Sequence, residues 1–256
     1  MKLATSSLFQ ISGIALGTAI LVSATSTPAK AISFVSQRAD LQANDKIDWA
    51  DLDFGISVPI APGTVAKFVP YSFTGQSEQG LGYSVDIPKI NNPRFTPPFI
   101  FPVTPSVPVN YSLGDAALFT GFAPGGFPAV GNPGPITIKF DTPVLGVGTQ
   151  IGVDDSFQYT AFISAFDQQD NLLDNFSVAG IPPLNGIDNS AAFLGVSNNI
   201  ANISKIVISS TEPNRALSLN FLSIKRASTP EPGIVFALGL LGIGLLTTKK
   251  KTTSNN

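Results

Sequence analysis

Between positions 32 and 224, apolar and polar residues alternate in short runs broken by Gly, Pro, Asn and Asp. The period of two marks strands with one face buried. It is visible at Ile32-Ser33-Phe34-Val35-Ser36, from Ile47 to Leu52, from Ala66 to Thr74 and from Leu81 to Ile87. The runs become dense after Pro135: Ile136 to Phe140, Val144 to Val153, Phe157 to Phe166, Leu172 to Val178, Ala191 to Ser197, Ile203 to Ser209 and Ala216 to Ile224. No long amphipathic helix interrupts them, and no internal repeat of fixed period supports a solenoid or propeller. Short strands punctuated by turn residues predict an all-β fold, an antiparallel two-sheet sandwich of jelly-roll type with one closed core.

Residues 88–135 depart from this pattern, holding 11 of the 21 prolines. Proline has no ladder donor, so Asn91 to Val109 is expected as a long loop without a central strand, its Phe95, Phe99, Ile100 and Phe101 packing over the core.

The two ends read as addresses. Lys2 precedes an apolar run from Leu8 to Val22 and a small-residue site at Ala29-Lys30-Ala31; the three parts make a secretory signal peptide over 1–31, cleaved after Ala31. At the other end Pro230-Glu231-Pro232 is followed by an uncharged apolar run and by Lys249, Lys250 and Lys251. The run from Gly233 to Thr248 would span about 24 Å as a helix, short of a ~30 Å hydrocarbon core. Lysine clusters stay on the cytoplasmic side. The organisation expected is therefore a signal peptide (1–31), a β-sandwich domain (32–229), a sorting and transmembrane segment (230–251) and a tail (252–256).

This C-terminal order of motif, greasy segment and basic cluster resembles the PEP-CTERM family. The resemblance implies an exported bacterial protein whose tail is processed by a membrane peptidase, exosortase, and which acts at the cell surface or in the extracellular matrix of exopolysaccharide-making bacteria. The stretch from Gly134 to Ile224 also looks like a β domain found in such proteins, through Pro143-Val144-Leu145-Gly146-Val147-Gly148, Phe157 to Asp167 and Ala192-Phe193-Leu194-Gly195-Val196. An Asp48-Trp49 pair near the mature start belongs to the same likeness. Those domains often carry an aspartate where this chain has Leu219 or Asn220.

Composition removes whole classes of chemistry. With neither Cys nor His, the chain has no disulfide framework, no thiolate or imidazole zinc site and no Ser-His or Cys-His catalytic pair. Residues 32–229 hold 10 basic and 16 acidic residues, a balance unsuited to nucleic acid, whose affinity rests on Lys and Arg neutralising phosphates. Only Glu78 and Glu212 are glutamates in that span, and both sit beside turn residues, so a glycosidase pair of carboxylates is not evident.

Two kinds of site remain as candidates. Calcium takes carboxylate, amide and carbonyl oxygens from loops, and two turns offer them: Asp154 with Asp155, and Asp167 with Asp170 and Asn171. Sugar binding on a sandwich uses exposed aromatics, which singles out Trp49, Tyr71 and Tyr83. Solvated turns and a core role for Trp49 are the plainer explanations of these residues. The function expected is a non-enzymatic exported envelope or matrix protein with exopolysaccharide as candidate ligand, transiently anchored in the inner membrane. The alternatives are a structural or adhesive module without a sugar site and a polysaccharide-modifying enzyme.

Overall fold

The computed structural model describes residues 32–107, 109–156, 158–182 and 187–227. Every strand pairing in it is antiparallel. A ten-stranded sheet is built around β12 (Gly146–Val153), all of whose residues are buried. One edge of β12 pairs β15 (Phe193–Ser197), which carries β1 (Ser33–Val35). The other edge is shared end to end by β17 (Leu217–Leu219) and β18 (Leu222–Lys225). From β17 the sheet runs through β8 (Ala116–Phe119), β7 (Phe99–Pro102) and β4 (Thr64–Phe68) to β3 (Ile56–Ala61), while β18 carries β2 (Asp45–Ile47). The second sheet has six strands, in the order β14 (Leu172–Ala179), β13 (Thr160–Phe166), β16 (Ile203–Ser210), β11 (Ile136–Val144), β6 (Gly82–Asp86) and β5 (Ser72–Gln76). A small ladder joins β9 (Phe122–Ala123) to β10 (Val130–Gly131).

The two sheets share one core. Ile138, Ile163, Ile206 and Ile208 of the six-stranded sheet belong to the same buried cluster as Val147, Ile151, Leu194, Leu219 and Ile224 of the ten-stranded one. Each such side chain stabilises the fold by roughly 1.5–3 kcal/mol, and the period-two runs after Pro135 supply most of them. The all-β, antiparallel, sandwich-like reading of the sequence is what the structure has. The glycines of the two quoted apolar motifs also find their reason here. Gly148 lies opposite Gly195 across β12 and β15, under the Phe193 ring, where a Cβ on Gly148 would stand 2.5 Å from Phe193 Cζ.

Three expectations about single segments are corrected. Asn91 to Val109 contains β7, an interior strand paired with β4 and β8. Pro98 and Pro102 bound it, and the three residues between them, Phe99, Ile100 and Phe101, keep their ladder donors. Ile100 and Leu118 turn to the shared core, whereas Phe99, Phe101, Ala117 and Phe119 turn to the opposite face and form a second cluster. Phe99 stands 4.9 Å from the ring of Phe119 and 5.8 Å from that of Phe68. The alternating run Ile47 to Leu52 is not one strand. It leaves β2 at Ile47 and winds into a 3-10 turn at Trp49–Asp51, because the Asp48 carboxylate accepts the Ala50 N–H and favours the turn. The run Ala66 to Thr74 splits at Pro70 into β4 and β5, which belong to different sheets.

The first and last strands of the described residues lie in one sheet. Ser33, Ser197, Gly146 and Lys225 form one transverse row across β1, β15, β12 and β18, so the start of the first strand and the end of the last lie three strand spacings, about 14 Å, apart. The expected signal peptide with Ala29 and Ala31, and the sorting tail with Pro230, Glu231, Pro232 and Lys249 to Lys251, lie outside the described residues. No helix among the described residues is long and apolar enough to cross a membrane.

Candidate functional site

Beside the last strand, the face of the ten-stranded sheet turned away from the shared core carries an open groove of about 520 Å³. It is lined by Arg38, Gln42, Asn44, Lys46, Glu78, Phe221 and Ser223, among others. A 3-10 turn at Arg38–Leu41 builds its first wall, held down by Leu41, which is fully buried against Val35 and Phe193. The second wall hangs on Asp45. Its side chain is wholly buried and accepts from Ser77 Oγ at 2.6 Å, from the Gln79 N–H at 2.9 Å and from Arg226 at 3.3 Å. Four acceptor contacts, with the Lys46 N–H at 2.8 Å as the last, leave this carboxylate fully engaged in structure.

Arg38 forms the floor. Its guanidinium lies 3.7 Å from the centroid of the Phe221 ring and 5.2 Å from that of Phe193. It donates to Ser223 Oγ at 2.6 Å and to Gln150 Oε1 at 3.2 Å. Burial lowers its pKa to about 10 against the opposing pull of Asp115, so it stays charged at neutral pH. Lys46 projects nearby, 5.4 Å from the Phe221 ring, and is paired with Glu78 at 3.0 Å and Asp48 at 3.2 Å.

Behind Arg38 the polar contacts continue inward. Gln150 donates to Asn189 Oδ1 at 2.9 Å, and the fully buried Asn220 donates to Gln150 Oε1 at 2.8 Å and to Asp115 Oδ2 at 2.7 Å. Sequence reasoning missed this chain of contacts. A signal was present: core-facing residues are spaced by two at Leu217 and Leu219 and at Leu222 and Ile224, but by three between Leu219 and Leu222. The extra residue is the mark of a bulge, and it places both Asn220 and Phe221 on the outer side.

The residues expected to stack on sugars are placed otherwise. Trp49 is fully buried, donates its indole N–H to the Asn220 carbonyl at 3.0 Å and meets Tyr83 edge-on at 6.4 Å. Tyr83 is 2 % exposed, and burial, with Asp51 adding to it, raises its pKa to about 12. Neither offers a face to a ligand, since the interior gains more from such rings than an exposed site does. Tyr71 is half-buried and packs against the edge of the shared core.

The two acidic turns expected to share a calcium ion are not brought together. Asp154 and Asp155 precede β13 and Asp167, Asp170 and Asn171 follow it; a strand of seven residues separates them by about 20 Å, far beyond ligand distances of about 2.5 Å. Their oxygens also have partners. Asp167 accepts from the Gln169 and Asn171 N–H groups, Asp170 pairs with Lys205 at 2.7 Å, and Asp155 accepts the Ala129 N–H at 2.7 Å. No group of three or more His, Cys, Asp or Glu among the described residues could hold a metal ion.

Asp154 is the acid with a marked upward shift. Burial, and next the neighbouring Asp155, raise its pKa from 3.8 to about 6. The folded state therefore binds more protons than the unfolded chain between these two values, and stability falls as pH rises through the interval. Replacing Asp154 with Asn removes this slope, so the variant gains on the order of 2 kcal/mol over the wild type at pH 7 and little at pH 4. Urea unfolding at the two pH values measures it; equal gains at both would mean that the carboxylate is not held neutral by burial.

No protein-family model matches the chain, and no curated protein sequence matches it. Among solved structures, it is similar to a DUF4465 family protein from Bacteroides caccae, with 8 % identity, a TM-score of 0.37, and coverage of 75 % of this chain and 100 % of that one.

Proposed function

We propose that the chain is an exported, non-enzymatic surface or matrix protein that binds exopolysaccharide through the groove of Arg38, Gln42, Asn44, Phe221 and Ser223, on a sandwich of jelly-roll type. The observation that carries the ligand reading is the groove itself. It joins an aromatic wall to amide, hydroxyl and guanidinium groups at a size suited to a sugar unit, the mixture of apolar body and few placed polar groups that such sites use. Export rests on the signal-like start and the PEP-CTERM-like end of the sequence. The partner in processing is then an exosortase-type peptidase in the inner membrane.

Affinity electrophoresis of the full chain in mild detergent, through gels holding different bacterial polysaccharides, tests the ligand reading. Retardation by at least one polymer is expected, weakened about tenfold by Phe221→Ala, which corresponds to about 1.4 kcal/mol. Absence of retardation throughout would favour a structural or adhesive module. Export is tested by fractionation and by weighing the mature protein: a full-length polypeptide inside the cell with both extremities intact removes it.

A further inference from the structure

We infer that the groove holds an acidic glycan, with Arg38 as the subsite for a uronic acid carboxylate; this rests on the polysaccharide reading above. Four charged residues line the groove: Arg38, Asp45, Lys46 and Glu78. Three already have partners, since Lys46 bridges Glu78 and Asp48 while Asp45 holds Arg226. Arg38 alone among them has no oppositely charged side chain within 4 Å among the described residues. Its hydrogen bonds go to neutral acceptors: Ser223 Oγ, the Phe221 carbonyl and Gln150 Oε1.

A half-buried cation against two phenylalanine rings has given up hydration, and the acid that pulls on it, Asp115, stays beyond ion-pair distance and is itself held by the Asn220 amide, so a counter-charge arriving from outside is favoured. The same rings and the bonds to Ser223 and Gln150 fix the guanidinium plane before any ligand comes, so little side-chain entropy is lost on binding. Nε and the remaining Nη2 hydrogen have no acceptor among the described residues, which leaves donors for a carboxylate. Gln42 stands on the rim with its amide nitrogen placed to donate to sugar hydroxyls, its Oε1 accepting from Lys225 at 3.3 Å, while the Asn44 amide is engaged by the Arg226 backbone at 2.8 and 3.2 Å and only shapes the wall. The described domain is acidic overall, so a generic polyanion is repelled at long range and recognition must come from these local contacts.

The test uses full-length protein in mild detergent, titrated with polygalacturonate, with the same polymer after reduction of its carboxyl groups, and with polyglutamate. Polygalacturonate should bind at least about tenfold more tightly than the reduced polymer, the range of a charge-assisted bond. Arg38→Gln should bring its affinity down to that of the reduced polymer, and Arg38→Lys should recover only part of the difference. Equal binding of both sugar polymers, each weakened by Phe221→Ala, would overturn the carboxylate subsite and leave the polysaccharide groove standing. Failure of both sugar polymers to bind overturns both. Polyglutamate bound as tightly as polygalacturonate overturns the assignment to a glycan. Should Arg38→Gln not fold, the comparison of polymers on the unaltered protein decides alone.

Discussion

Trp49→Ala lowers the unfolding free energy by about 3–5 kcal/mol, the range for removing a large buried aromatic. For a domain of this size that corresponds to a melting temperature lower by roughly 6–20 °C. The reason is position. Trp49 sits in a capped 3-10 turn, fully buried, with its ring edge against Tyr83 of β6 and its N–H on the Asn220 carbonyl between β17 and β18. It therefore ties the six-stranded sheet to the ten-stranded one at the back of the groove. Trp49→Phe keeps one aromatic ring but loses part of the indole volume and the donor, at a smaller cost of about 2 kcal/mol, since Thr149 Oγ1 still donates to the same carbonyl at 2.8 Å. Urea titration followed by circular dichroism measures both, because the variants lack the single Trp. A loss below about 1 kcal/mol for Trp49→Ala would mean that the cavity collapses and that Trp49 does not join the sheets.

Most of the second half of the fold was legible because one physical rule governs it. A strand with one face in the core must alternate, and β11, β13 and β16 do so between Ile136 and Ser210. The rule is weakest where both faces are covered. β7 and β8 send alternate residues into two different clusters, so their sequences read as continuous apolar runs, and the prolines around Phe99 to Phe101 suggested a loop. Local hydrogen bonding also overrode pattern: Asp48 turned an alternating segment into a 3-10 turn and thereby buried Trp49, the aromatic that a search for exposed stacking surfaces would choose first.

The candidate site was less legible than the fold, for a reason of distance along the chain. Arg38, Gln150 and Phe221 come from three remote segments that meet only because β12 is flanked by β18 while the Arg38–Leu41 turn lies over both. None belongs to a local motif. Each is a single polar or aromatic residue next to apolar neighbours, which in sequence looks like an ordinary outward-facing position of a strand or turn. Only the three-residue step from Leu219 to Leu222 foretold that the last strand breaks where the groove forms.

Asn220→Asp carries the second large effect. The Asn220 amide is fully buried, donating to Asp115 Oδ2 at 2.7 Å and to Gln150 Oε1 at 2.8 Å. Aspartate removes both donors and sets a second carboxylate against Asp115. Two acids at such a distance cannot both ionise cheaply in a buried place, and the loss at pH 7 is about 3–5 kcal/mol, as for breaking a buried charged contact. The introduced acid has its folded pKa raised above its unfolded value near 4. By linkage the folded state then takes up a proton on acidification, so the deficit is fully present at neutral pH and shrinks as pH falls through the raised pKa. Asn220→Leu loses the same donors without adding a charge, so its deficit changes much less with pH. Unfolding titrations of the two variants from pH 7.5 to 4.5 separate the cases. A pH-independent deficit in Asn220→Asp would show that water reaches Asp115 and that the polar chain behind Arg38 is solvated, in which case Arg38 would not be held rigid for a ligand.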